Sequence, residues 1–280
     1  MYHKILIMQF QFPKVFRLAL YATTICLLVQ ACSSIKNTGI VKDEIPVKKT
    51  GNYQTRFDFV AGEKLLWSEN FQGTFTGNFP KGWNTNATGE VVENDDKSKA
   101  LLLAKDGVYI PLGVTNLPSE FTLQFDLSCS SNYSYYSSPF QVMFASLATK
   151  KEFTVLKQYN PHNKDVVKLW LHPHNAASNG GYSGYELFEK GVKQSSNESN
   201  TSQFFASGGP ATVKVSVSRE KQRLKVYFNE EKVWDLPQAF DETASYNSLV
   251  FGISHLVDHT GKYYISNLKL ATDIPQQKKN

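Results

Sequence analysis

The stretch Ala211–Pro237, ATVKVSVSREKQRLKVYFNEEKVWDLP, most constrains what this chain can fold into. Val213, Val215 and Val217 alternate with Thr212, Lys214, Ser216 and Ser218. Leu224, Val226 and Phe228 repeat the pattern, and Val233 and Leu236 extend it more loosely. Alternation with period two gives each segment one face for a core and one for water, as in a half-buried strand. Arg219–Gln222 and Asn229–Glu231 are too short and polar to be anything but hairpin connections. The stretch is an antiparallel meander, and it sets the class as all-β.

The same alternation recurs in Phe121–Ser128, where Phe121, Leu123, Phe125 and Leu127 point inward. Further strand candidates are Lys64–Asn70, Glu90–Glu93, Ala100–Ala104, Gly107–Pro111, Phe140–Ala145, Val166–His172, Leu249–Ser254 and Tyr263–Leu270. Many short strands with frequent turn signals and no long amphipathic helix predict a two-sheet antiparallel jelly-roll sandwich. Trp67, Trp170 and Trp234 sit within strand patterns and are expected in the core. Phe79 and Trp83 lie in a Gly/Pro/Asn-rich loop and are expected to anchor it. Gln194–Gln203, QSSNESNTSQ, is expected to be a surface loop on composition. The domain is expected to span residues 56–272, with a polar tail at 273–280.

Composition narrows the function. Hydrophobic residues at 41% are ample for a packed core, which excludes a disordered chain. The formal charge of +5 includes Lys4, Lys14 and Arg17, which lie in a segment expected to be removed. Near-neutrality of the remainder gives no support to a nucleic-acid partner. Of the three cysteines, Cys26 and Cys32 belong to the apolar leader or its end, so Cys129 has no intramolecular partner. It is expected to be a small buried residue.

Residues 1–17 are basic without an acid, and Leu18–Ala31 is an apolar run too short to span a bilayer comfortably. The run ends in Val29-Gln30-Ala31-Cys32, followed by Ser33-Ser34. This resembles a bacterial lipobox, with Gln30 where a small residue is commoner. The resemblance implies a signal peptide over 1–31 and Cys32 as the lipid-modified first residue, anchored in a membrane by its acyl chains. Residues 32–55 are then a polar tether.

Phe57–Phe71, Asn78–Val92, Tyr109-Ile110-Pro111, Leu117–Leu127 and Tyr264–Ala271 together resemble the concanavalin A-like, LamG-type jelly-roll region of Bacteroidota lipoproteins. In many of those proteins the region precedes an OmpA-type peptidoglycan-binding domain, and nine residues follow Ala271 here. The resemblance implies the fold and an outer-membrane, lipid-anchored setting. It does not carry over the anchoring role of the OmpA domain.

Chemistry is sparse. Glycosidases on this fold commonly carry Glu-x-Asp-x-x-Glu on one strand, because glycoside hydrolysis needs two carboxylates. The pattern is absent, which argues against a hydrolase. His172 and His174 could share a face, but zinc needs a third ligand, and His162, His255 and His259 have no claim by spacing. No motif calls for an organic cofactor. The resemblance admits a structural calcium where the terminal strands meet, with Glu69, Asn70 and Asn267 as oxygen ligands.

Two tyrosine-rich stretches, NYSYYSS at Asn132–Ser138 and GGYSGYE at Gly180–Glu186, remain. Tyrosines among Gly, Ser and Asn at loop tips suit stacking on sugars or a protein surface. Tyr133, Tyr135, Tyr136, Tyr182 and Tyr185 are the candidate contacts; the bland alternative is that they anchor the loops. The expected partner is a glycan or peptidoglycan, the alternative an envelope protein bound by a structural or assembly lipoprotein.

Overall fold

The computed structural model describes residues 57–157, 161–174, 180–205, 211–254 and 261–275. Cys32, the segments 1–31 and 32–55, His255, His259 and the end of the tail lie outside the described residues.

Among the described residues, fifteen strands form two antiparallel sheets. One sheet runs β13 (Glu231–Leu236), β12 (Arg223–Phe228), β11 (Thr212–Glu220), β6 (Glu120–Cys129), β15 (Tyr263–Thr272), β4 (Lys99–Leu103) and β3 (Gly89–Glu93). β1 (Lys64–Glu69) joins it by pairing with β15. The other sheet runs β10 (Val192–Thr201), β9 (Gly181–Glu189), β8 (Val166–His172), β7 (Phe140–Ala145), β14 (Ser248–Ile253), β5 (Val108–Pro111) and β2 (Trp83–Thr85). This is the jelly-roll sandwich that the alternation predicts. The meander appears as β11–β12–β13, joined by two-residue turns with Lys221 and Asn229 at positive φ.

The inward residues interlock across the gap. Phe125 of β6 packs 5.9 Å from Phe140 and 5.5 Å from Phe251, both on the opposite sheet. Phe121 meets Phe144 at 5.3 Å. Offset and edge contacts of this kind add to the area that each ring buries. Cys129 lies at the end of the same inward row, and burial pushes its thiol up to about 12.

A second apolar cluster covers one end of the outer face of the β10–β2 sheet. The short helix α1 (Phe153–Lys157) lies over it, and Leu156 packs with Ile110, Met143, Val166 and Phe188. Lys150 fastens this loop by donating from Nζ to the Val114 and Asn247 carbonyls and to Ser248 Oγ. The apolar spacing of β8 and β7 on both faces marks this cover only in hindsight.

On the opposite side, the chain enters across the outer face of the β13–β3 sheet. Phe57 and Phe59 pack on Tyr227, whose hydroxyl donates to Asp58 Oδ1 at 2.9 Å.

Phe125→Ala is expected to cost roughly 3–5 kcal/mol, because it opens a cavity between sheets that cannot collapse onto each other. Urea denaturation measures this, and a loss below about 1 kcal/mol would mean that the gap repacks.

Candidate functional site

Register across the β10–β2 sheet decides what its outer face offers. Inward residues of β8 are Val167, Leu169 and Leu171, so Val166, Lys168, Trp170 and His172 face out. Their β9 partners are Phe188, Glu186, Gly184 and Tyr182 in turn. On β10 a bulge between Lys193 and Ser195 resets the alternation, setting Glu198 opposite Gly184 and Asn200 opposite Tyr182. On β7, Gln141 stands opposite Trp170.

Three zones follow from these rows. Next to the α1 cover, Glu186 accepts from Lys168 at 2.5 Å and from Lys193. Both ammonium groups also lie over the Phe188 ring. The two lysines hold the Glu186 carboxyl below its ordinary pKa against the opposing effect of burial. Beyond this ionic row the face is open and aromatic. Trp170 lies against Gly184 so closely that a Cβ there would meet its ring at 2.3 Å. Only glycine leaves room for the indole at that point. Tyr182 meets Trp170 edge-on at 5.1 Å. A cleft of about 460 Å³, lined by Tyr135, Tyr182, Glu198, Ser199 and Asn200, completes the face.

His172 supports this wall from below. Its Nδ1 accepts the His174 N–H at 3.1 Å, so Nε2 carries the proton and donates to the Ser137 carbonyl at 2.8 Å. Tyr133, Tyr135 and Tyr182 pack around the ring. Burial pushes its pKa below the usual histidine range.

The tyrosine candidates separate. Tyr135 and Tyr182 share the cleft, and Tyr136, 69% exposed, packs on Tyr135 at 5.4 Å. Tyr133 is a correction: it is 3% exposed and bonded to the Ser138 carbonyl and the Tyr263 hydroxyl, so it anchors the loop instead of touching a ligand. Tyr185 is a second correction. Gly180–Glu186 is mostly strand, and three residues along a strand reverse the face. Tyr185 therefore points inward against Trp234 at 5.1 Å.

Trp170 is the converse correction, outward where the core was expected. Lys168 and His172 flanking it at alternate positions were the available signal. Glu198 and Asn200 went unseen because β10 is polar on both faces and has no alternation to read.

Both nitrogens of His172 are committed to hydrogen bonds, which leaves no lone pair for zinc, and among the described residues no group of three His, Cys, Asp or Glu could hold a metal. Glu69, Asn70 and Asn267 do come together, lining a hollow beside the β15 bulge with Asp126, Lys214 and Lys269. Glu69 Oε1 accepts the Phe71 N–H at 2.7 Å and Asn70 Oδ1 the Gln72 N–H at 3.1 Å. Asn267 sits at φ 52° in the bulge and donates to Asp126 Oδ2 at 2.7 Å. Its amide nitrogen faces Asp126, and two lysines share the hollow, an arrangement that opposes a dication.

No family model and no curated protein matches the chain. Among solved structures, the carbohydrate recognition domain of Emp47p matches at TM-score 0.55 and 15% identity, over 75% of this chain and 98% of that one. The binding domain of botulinum neurotoxin serotype D matches at TM-score 0.48 and 12% identity, over 78% of this chain and 49% of that one. The first likeness places the sandwich with lectin-like jelly rolls; it is a likeness of fold.

Two outcomes are expected. Because the unfolded chain takes up a proton on His172 before the folded protein does, stability is full above about pH 6.5 and declines as the pH falls below it. Thermal denaturation from about pH 7 to about pH 5 should show this slope, and His172→Gln should flatten it. Millimolar calcium should leave the melting temperature of the wild type unchanged, and a rise that Glu69→Gln abolishes would restore the calcium site.

Proposed function

We propose that the protein is a non-catalytic glycan-binding domain whose site is the open half of the outer face of the β10–β2 sheet. The observation that carries this reading is the Trp170 indole seated against Gly184, beside Tyr182. A half-buried indole on the outer face of the sheet offers a ring surface for the apolar face of a pyranose. The polar groups beside it, Glu198 and Asn200, suit the hydroxyls on the sugar's edge. A fold that also builds a carbohydrate recognition domain is compatible with this use.

Binding fits the chemistry better than hydrolysis. Among the described residues, the cleft lining contains one acid, Glu198. The other carboxylate on this face, Glu186, is held ionised by two lysines, whereas a glycosidase acid needs a raised pKa.

The lipobox resemblance at Cys32 extends the proposal to an outer-membrane lipoprotein of the Bacteroidota type. The described chain enters across the face opposite the groove, at Phe57–Phe59 on Tyr227.

Pull-down on insoluble polysaccharides and purified peptidoglycan tests the reading. Trp170→Ala and Tyr182→Ala are each expected to weaken retention about tenfold, or about 1.4 kcal/mol, with unchanged melting temperature. Tyr185→Phe should bind as the wild type does. Retention that survives Trp170→Ala would sink this site. Replacement of Cys32 by Ala should release the protein from the membrane fraction.

A further inference from the structure

Resting on the glycan-binding reading, we propose that the groove selects uncharged glycan chains and rejects uronate- or sulfate-bearing ones, with Glu198 as the specificity-determining residue.

The charge on this face is distributed unevenly. At the α1 end, Lys168 is 7% exposed and its ammonium is bound to Glu186 at 2.5 Å. Lys193, opposite Phe188 in register, is bound to the other oxygen of the same carboxylate. Both cations are thereby turned toward Glu186 and the apolar cover. Among the described residues, the lining at the open end is Tyr135, Tyr182, Glu198, Ser199 and Asn200, with no lysine or arginine. His172, the nearest imidazole beneath the wall, is neutral in its hydrogen-bonded tautomer. Among the described residues, Glu198 is therefore the one formal charge on the cleft lining. Its field reaches Tyr182, whose hydroxyl is pushed above its ordinary pKa by burial first and then by Tyr135 and Glu198.

A lone carboxylate at the rim treats the two kinds of glycan differently. Sugar hydroxyls donate to it in charge-assisted bonds, stronger than those to a neutral acceptor. A ligand carboxylate or sulfate meets like charge, with no arginine or lysine to bind it. The register also gives the site a direction. Gln141, Trp170, Gly184 and Glu198 form one row across four adjacent strands. At about 4.8 Å per strand spacing the row spans roughly 14 Å, longer than one sugar ring. A chain lying along it would place successive rings on Trp170 and against Glu198.

The test uses the full-length protein and the neutral polysaccharide it retains best, compared with the same polymer oxidised at C6 to its uronate form. Isothermal titration calorimetry at low salt should give at least about tenfold weaker binding to the oxidised polymer, or about 1.4 kcal/mol. Glu198→Gln should weaken binding to the neutral polymer while bringing the ratio between the two polymers close to one. Trp170→Ala should weaken both alike. Equal or tighter binding of the oxidised polymer by the wild type, or a ratio that Glu198→Gln leaves unchanged, overturns the selectivity and leaves the glycan reading standing. Retention of no neutral or anionic polysaccharide overturns the glycan reading, and the selectivity with it.

Discussion

The structure depends on a slab of phenylalanines held between two sheets. Phe121 and Phe125 come from β6, and Phe140, Phe144 and Phe251 from the sheet opposite. These rings are fully buried, and they fix both the spacing of the sheets and the face that every neighbouring residue presents. Once Phe140, Val142 and Phe144 point in, Gln141 and Met143 have to point out. The outer face is what that constraint leaves, made of whatever the core does not take.

That outer face is divided by packing. One end is apolar and is roofed by α1, with Lys150 fastening the loop to the start of β14. The other end carries Trp170, Tyr182 and the cleft. Between them, two lysines share one glutamate, which satisfies charges that a buried position would otherwise make costly. The apolar cover and the open cleft are thus kept apart on a single sheet by one ionic row. The loop from Asn132 to Ser138 joins the two requirements, since Tyr133 is sunk into the core while Tyr135 reaches the cleft.

Legibility in the sequence followed local contrast. β6, β11 and β12 alternate cleanly, and their inward residues are those that the pattern named. β7 and β8 have the bounds that the sequence suggested, Phe140–Ala145 and Val166–His172. β10 was invisible, because an edge strand of Ser, Asn and Glu has no apolar face to mark it. Tyr182 and Tyr185 look alike in GGYSGYE, yet a strand sends them to opposite sides. Glu69, Asn70 and Asn267 were brought together as the terminal strands suggested, but the Asn267 bulge turned an amide N–H toward Asp126.

The sequence by itself determined the class of fold and the identity of most core residues, because burial of alternating side chains is a local property of each strand. It also determined the scarcity of catalytic acids. Only the tertiary structure decided the site. Trp170, Gly184 and Glu198 lie on three different strands, and nothing along the chain links them. Strand register aligns them in one row, and a glycine without a side chain lets the indole sit where it does. Register is set by the core and by the β10 bulge, so the groove exists only after the whole sandwich has formed.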